Sequence, residues 1–511
     1  MAESTGLTRR RLVSAGLAAV GGLALGTEAF AGAAARTLRV GSLGTSQDVI
    51  DCHFGASDMD LQRVFNLYDT LTYFEHQNLK LSYGLAESIE LNGTANVATI
   101  RLRAGVTFHN GKPLTADDLI FTFQRILDPK KPGRAARSLV SINASAMTKM
   151  DARTVRLTLN FPDSILAQRL YIPQTSIVPA GFNAQSPVGT GPFMYQSFVP
   201  GQRSVFVRNP HYWMNGQPHL DQLVIIDFPD TTSQVNALLA GQVDAIDALP
   251  QAQIPVIRGR SNLTLLIAKS GYYQPITMRV DLPPFNDVRV RQALKLLANR
   301  SQTVAQVYSG YGIVGNDMPC PHDPAYPRAL PQRVQDVDRA KSLLKAAGQS
   351  SMTVNLVTAE SNAGLVAGAQ VFAENAKSAG INVIVEIVQP AVAGMKFTQW
   401  PFTQGYYGDK PFGIMFALRN LPGGIFNDTH WSDPTSLALY KEGLAETDPT
   451  KRNEKFAAVE KILYESGGDI ITSFRATVDA YSANLTGFVG DDSTGWSLGQ
   501  YRYREVSYKQ G

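Results

Sequence analysis

Hydrolytic or metal chemistry in this chain would have to be assembled from seven histidines, His53, His76, His109, His211, His219, His322 and His430. None of them forms an H-x-x-x-H pair or a Cys/His pair at zinc-like spacing. A metal gathered from distant residues, such as Cys52, His53 and His430, is the arrangement that spacing leaves open. Gly495-Trp496-Ser497-Leu498-Gly499 has the G-x-S-x-G form of a serine nucleophile, which requires a strand before the serine, a helix after it, and a downstream acid and histidine. The segment after Gly499 reads instead as a strand through Tyr501-Arg502-Tyr503, and no histidine comes after His430. Gly105 to Lys112 has the wrong glycine spacing for a phosphate loop, with Pro113 where a Ser or Thr would hold magnesium. Gly189-Thr190-Gly191-Pro192-Phe193 lacks the third glycine of a dinucleotide fingerprint. Both read as turns. No nucleophile stands at a suggestive distance from a base, no cofactor motif is present, and binding is favoured over catalysis.

Binding chemistry is concentrated elsewhere. Between Trp400 and Trp431 the chain supplies Trp400, Tyr406, Tyr407, Asp409, Lys410, Arg419, Asn420, Asn427 and His430, with few regular helical or strand patterns. Aromatic rings offer rigid apolar area, and a few charged groups fix the ends of a polar ligand. Arg419 follows the apolar run Ile414 to Leu418 and offers either a bidentate fork to a carboxylate or a structural salt bridge. Opposite charges at Asp409 and Arg419, together with tyrosines and Trp400, suit a small zwitterion such as a short peptide or an amino-acid conjugate.

The elements that must position these groups are those of a large folded chain. With 511 residues, 44% of them hydrophobic and 18% charged, it is long enough for two or three cores and too apolar for disorder. A net charge of +4 gives no argument for nucleic acid. Thr8-Arg9-Arg10-Arg11-Leu12, the apolar run to Leu25 and Ala29-Phe30-Ala31 read as a basic region, a hydrophobic region and a cleavage site, with the paired arginines of twin-arginine export, so that residues 1–31 are a signal. Export permits a bridge between the two cysteines, Cys52 and Cys320, without requiring one.

Strands are expected over Leu38 to Leu43, Ala98 to Arg103 and Val155 to Leu159. Helices are expected over Asp58 to Tyr68, after a cap at Thr115, over Val290 to Leu297, and from Ala340 to a stop at Gly348. Strand Met352 to Val357, helix Gly364 to Ala379 and strand Ile381 to Val388 form a β-α-β unit with parallel strands, whose carboxyl ends border the expected ligand crevice.

Several phrases then carry a resemblance. They include Leu102-Arg103-Ala104-Gly105-Val106-Thr107-Phe108-His109-Asn110-Gly111-Lys112-Pro113-Leu114-Thr115-Ala116-Asp117-Asp118, Pro187 to Phe193, and Arg208-Asn209-Pro210-His211-Tyr212-Trp213. Further along come Pro284 to Leu294, Asp428-Thr429-His430-Trp431 and Ala445-Glu446-Thr447-Asp448-Pro449. In this order they resemble the bacterial extracellular solute-binding protein family 5, the oligopeptide-, dipeptide- and nickel-binding proteins of ABC importers. The resemblance implies an α/β, two-lobed periplasmic binding protein fold (type II, cluster C-like) with an extra α+β domain. Lobe I would comprise 36–75, 186–275 and 480–511, the extra domain 76–185, and lobe II 276–479. It also implies a monomer in the periplasm whose partners are a small peptide-like ligand and an inner-membrane ABC permease. An opine, a sugar acid or a metal chelate is the alternative ligand, and an exported hydrolase the alternative class.

By the same resemblance the Trp400 to Trp431 stretch borders the ligand. Asp409 is the closest match to an aspartate that pairs with a peptide amino terminus in peptide binders, although Asp409-Lys410-Pro411 departs from their usual Asp-Pro-Asp. Tyr272 and Tyr273 match a position near the cleft, with core packing as the alternative. Thr45 to His53 would form the opposite wall, which places His53 beside the ligand.

Overall fold

The computed structural model describes residues 36–509, so the export signal expected over 1–31 lies outside the described residues. Strand Thr37–Leu43 comes first, with Leu38 and Val40 fully buried on one face. It pairs in parallel with Gln222–Phe228 and with Ala245–Ile246. Arg203–Arg208 and Phe193–Val199 extend the sheet on one side, and Ser473–Ser482 and Leu263–Tyr273 on the other. Gly312–Val314 adds to Ser473–Ser482 to complete eight strands. A second, five-stranded sheet runs in the order Asn382–Ile387, Thr353–Thr358, Phe402–Gln404, Ile276–Met278, Asp469–Ile470.

Two short passages join these sheets. Leu263–Tyr273 leads into Ile276–Met278, and Asp469–Ile470 leads back into Ser473–Ser482. They divide the chain into two lobes with a double connection, the topology that lets one lobe rotate on the other. The returning strand begins at Ser473, ahead of the lobe boundary expected at 480, and Gly312–Val314 joins the first lobe's sheet from within 276–479.

A third sheet, Ala86–Leu91, Val97–Leu102, Thr154–Leu159 and Ile142–Lys149, is antiparallel and carries helix Ala116–Ile126. The Asp118 carboxylate accepts from both the Thr115 backbone N–H and its hydroxyl, at 2.9 and 2.7 Å, and so fixes the helix start. Leu119, Phe123 and Ile126 then pack on Ile100, Leu102, Val155 and Leu157. The β-α-β unit stands as read: Thr353–Thr358 and Asn382–Ile387 are parallel, with helix Leu365–Lys377 between them in the chain.

Two local expectations are corrected. Tyr501-Arg502-Tyr503 is not a strand: Leu498 to Tyr501 hold positive φ and lead into the short turn Tyr503–Glu505. The cause is burial of polar backbone, because the Asp479 carboxylate accepts from the Leu498 N–H at 2.6 Å and Asn66 donates to the Tyr501 carbonyl at 2.9 Å. The stretch from Trp400 to Trp431 is also more regular than expected, containing strand Phe402–Gln404 and helix Phe412–Arg419. That helix buries Phe412, Ile414, Met415 and Phe416 around most of its circumference, which erases the amphipathic period that sequence reading depends on.

Helix Asp58–Leu67 is locked to the first lobe by Arg63. Its fully buried guanidinium bonds both oxygens of Asp227 at 2.8 and 2.9 Å and reaches Asp48 at 3.3 Å. On the same helix's carboxyl side, Gly189 lies so close that a Cβ there would sit 2.0 Å from the Leu67 carbonyl oxygen. Gly189→Ala is therefore expected to lower stability by about 1–3 kcal/mol through overpacking, measured by thermal or urea unfolding.

Candidate functional site

A cavity of about 1340 Å³ lies between the two lobes. The first lobe contributes Ala56 and Asp58 at the start of helix Asp58–Leu67, Ala248 to Ala252, and Thr494 to Ser497. The second contributes Thr358 and the turn to Leu365 at the carboxyl end of strand Thr353–Thr358, as the β-α-β reading expects, together with Tyr406 to Gly408 and Lys410. The connecting strands supply Tyr272 and Arg475 to Val478. Tyr272, Tyr406, Tyr407, Phe426, Trp496 and Tyr501 give the lining its aromatic area.

Among the described lining residues only Asp58, Lys410 and Arg475 are charged. Asp58 is exposed at the start of its helix and opens on the cavity. Burial raises its pKa, and the field of Arg475 opposes that rise. Its carboxylate accepts no hydrogen bond from a described residue. Lys410 is the converse: burial lowers its pKa, the Asp409 charge opposes the fall, and no described acceptor takes its Nζ. Arg475 lies over the Tyr272 ring at 4.4 Å and donates from Nη1 to Asn362 at 3.2 Å. Asn362 is itself held by Gln274, in the first connecting passage, whose Nε2 donates to it at 2.8 Å.

The residues expected from sequence divide into two groups. Tyr272, Tyr406 and Tyr407 line the cavity, and Tyr406 is 48% exposed. Asp409, Arg419, Tyr273, Asn420, Trp400, His430 and His53 do not line it. Asp409 is 1% exposed, pairs with His322 at 3.0 Å, and is pushed by burial to a pKa of about 6. It presses on the connecting strand, where a Cβ at Gly271 would stand 2.1 Å from its Oδ2.

Arg419 takes the structural alternative left open for it. Its guanidinium, 2% exposed, bonds Asp428 at 2.7 Å and Asp469 at 2.7 Å and donates to the Tyr273 hydroxyl at 3.3 Å. Burial opposes its charge, and the two carboxylates more than offset that and raise its pKa. Tyr407 closes the cluster by donating to Asp428 at 2.7 Å, with its ring 5.5 Å from that of Tyr273. Asn420 is buried behind helix Phe412–Arg419, and its backbone N–H bonds the Phe416 carbonyl. Trp400 lies beneath the Lys396 ammonium at 5.2 Å, and the His430 ring is 2.8 Å from the Thr398 carbonyl.

His53 is fully buried away from the cavity, and Thr45 to His53 does not furnish the opposite wall. One ring nitrogen donates to the Ser176 carbonyl at 2.9 Å, while the other lies 2.5 Å from Arg125, and burial lowers its pKa to about 4. The wall comes instead from Ala56, Asp58 and Ala248 to Ala252, which bear no pattern that would mark them in sequence. Asp51, Cys52 and His53 bring potential metal ligands within 4.8 Å of one another. Arg125 already bonds both oxygens of Asp51 at 2.5 and 3.0 Å, so a guanidinium supplies the positive charge of that group. Cys52 and Cys320 are both free and buried.

Ser497, from the G-x-S-x-G phrase, does reach the cavity. Its hydroxyl pairs with the buried Asp479, and no histidine is among the described lining residues. Among the described residues no helix is long and apolar enough to cross a membrane.

The family model described as bacterial extracellular solute-binding proteins, family 5 Middle, matches residues 80–421. Di/tripeptide-binding protein 1 of Pseudomonas aeruginosa (strain UCBPP-PA14) is 28% identical over 451 residues, covering 80% of this chain and 82% of its own. The glutathione-binding protein GsiB of Escherichia coli (strain K12) is 26% identical over 481 residues, covering 90% and 92%. Among solved structures, the periplasmic binding protein AgaA from A.tumefacien R10, in complex with agropinic acid, superposes with a TM-score of 0.77 at 24% identity, covering 93% of this chain and 99% of its own. The two lobes are thus those of the periplasmic binding protein fold.

Arg419→Met leaves two carboxylates facing each other without a counter-charge. It is expected to cost about 3–5 kcal/mol of stability, as for other buried pairs broken on one side. Denaturant unfolding checks this. A loss of ligand affinity with unchanged stability would instead put Arg419 at the ligand.

Proposed function

The chain belongs to the bacterial extracellular solute-binding proteins, family 5, and on that premise we propose that it is the periplasmic receptor of an ABC importer. It takes a small polar ligand, a short peptide or an amino-acid conjugate, and presents it to a membrane permease. The observation that carries this reading is the cavity of about 1340 Å³ between two lobes joined by two short passages, lined by aromatic rings and few charges. Such a cavity is large enough to enclose a peptide-sized molecule. A ligand that touches both walls stabilises the closed arrangement by its difference in affinity for closed and open states. The peptide-like class is supported by the two relatives named for di/tripeptides and for glutathione.

Catalysis is not part of this reading. Ser497 bonds the Asp479 carboxyl with no histidine among the described lining residues, and a binding role needs no turnover. Export follows from the twin-arginine phrase Arg9-Arg10. The protein acts as a monomer and reaches no nucleic acid.

Mass spectrometry of the protein purified from its native periplasm is expected to find a retained peptide or amino-acid conjugate. Adding that compound at a hundredfold excess over its Kd should stabilise the fold by about 2.7 kcal/mol, seen as a rise in melting temperature. Recovery of an opine, a sugar acid or a metal chelate would replace the ligand class, and chemical conversion of the ligand would replace binding with catalysis. Arg9→Lys combined with Arg10→Lys is expected to hold the precursor in the cytoplasm, read by fractionation. Undiminished export would assign the signal to another route.

A further inference from the structure

The cavity's charges are few enough to be balanced against a ligand. Asp58 stands on the first lobe, Lys410 on the second, and Arg475 on the strand that connects them; the remaining described lining is neutral. None of the three is used up by the protein. Asp58 has no hydrogen-bond donor among the described residues. The Lys410 ammonium has no acceptor there, because Asp409 behind it turns to His322 at 3.0 Å and to its own neighbour's backbone. Arg475 spends one N–H on Asn362, which leaves Nε and Nη2 without described protein acceptors. Nor do Asp58 and Arg475 form an ion pair, since the guanidinium is held over Tyr272.

The acids packed behind the first wall are already satisfied. Asp247 accepts from Gln234 at 2.8 Å and from Tyr501 at 3.4 Å, and Asp479 accepts from the backbone of Ala248 and Leu498 at 3.0 and 2.6 Å. Burial pushes Asp247 to a pKa of about 7 and Asp479 to about 6, towards the neutral form, and with these hydrogen bonds already made to the protein neither competes for a ligand. Burial raises the pKa of Asp58 against the field of Arg475 and lowers that of Lys410 against the field of Asp409, and an opposite charge brought by a ligand works against both shifts.

Resting on the receptor reading, we propose that the cavity selects a ligand of net charge −1, with one cationic group on Asp58 and two anionic groups on Lys410 and Arg475. The chemical class is a small peptide or amino-acid conjugate with one ammonium and two carboxylates. A neutral zwitterion leaves one enclosed cation unpaired, and a cationic ligand brings like charges together as the lobes close. Discrimination by unpaired enclosed charge is the strong kind, since the penalty falls on the wrong ligand. Because the anchors come from opposite walls, the same charges that select the ligand also draw the lobes together.

Isothermal titration of the mature protein at neutral pH with Ala-Ala-Glu, Ala-Ala-Gln and Ala-Ala-Lys tests this. Affinity is expected to fall by about tenfold or more at each step of that series. The Glu-over-Gln preference should shrink to about threefold or less in Lys410→Met or in Arg475→Met. Asp58→Asn should abolish the penalty for N-acetylating the peptide. Melting curves confirm that each variant is folded, and the series on the unsubstituted protein decides the matter even where a variant is not. Equal affinity for the three peptides, or a Glu-over-Gln preference that survives in both cation variants, overturns this proposal and leaves the receptor reading standing. Failure of all three peptides to bind at millimolar concentration overturns the peptide-like reading and this inference with it.

Discussion

The arrangement of the cavity depends on one buried guanidinium. Arg419 sits with its charge out of water, bonded to Asp428 on the following loop and to Asp469 at the second passage between the lobes. The Thr277 hydroxyl, on the strand after the first passage, lies between those aspartates, 3.4 Å from Asp428 and 3.2 Å from Asp469, with one proton to share. One ion cluster therefore fastens helix Phe412–Arg419 to both connections at once. A buried ion pair of this kind adds little net stability over an apolar replacement, because desolvating the charges costs about what their attraction returns. Breaking it on one side is costly, because that leaves a buried charge without its partner.

The cavity wall rests on the same cluster. Tyr407 is fixed by Asp428 at its hydroxyl and by the Tyr273 ring beside it, and its backbone bridges to Tyr273 across the passage. The next residues along the chain, Gly408 and Lys410, are thereby carried to the cavity's edge. On the opposite side Arg63 performs the matching task, anchoring helix Asp58–Leu67 to the large sheet so that its first residue faces the same space. Each lobe has a buried arginine cluster behind its wall and one unpaired charge in front of it. Two short passages join the lobes behind these walls, the topology that lets one lobe rotate on the other.

Much of the scaffold is legible in the sequence because it obeys local rules. Helix Ala116–Ile126 has its Thr115 and Asp118 start signal, strands Val97–Leu102 and Thr154–Leu159 alternate, and the β-α-β unit has its stop at Gly380. The site is legible only in part. Tyr272, Tyr406 and Tyr407 stand out because aromatics are gathered there, and aromatic gathering is visible in one dimension. Asp409 and Arg419 stand out for their charges, yet charge alone does not tell a ligand anchor from a buried counter-ion. His322 and Asp469, which claim those two residues, lie far from them in the chain. Asp58 and Arg475 escape notice because one looks like an ordinary first-turn acid of a helix and the other like an alternating strand residue.

The sequence by itself determined the fold class and the family, and it drew attention to Tyr272, Tyr406 and Tyr407, which line the cavity. These rest on periodicity, turn chemistry and ordered phrases, all of which are local along the chain. Tertiary structure alone decided which charges are spent and which remain. An ionisable side chain is open to a ligand by lacking a partner, and whether it has one, as Arg419 has Asp469 and Asp409 has His322, or has no hydrogen-bond partner among the described residues, as Asp58 and the Lys410 ammonium do, is set by which distant segments the fold brings within a few ångströms.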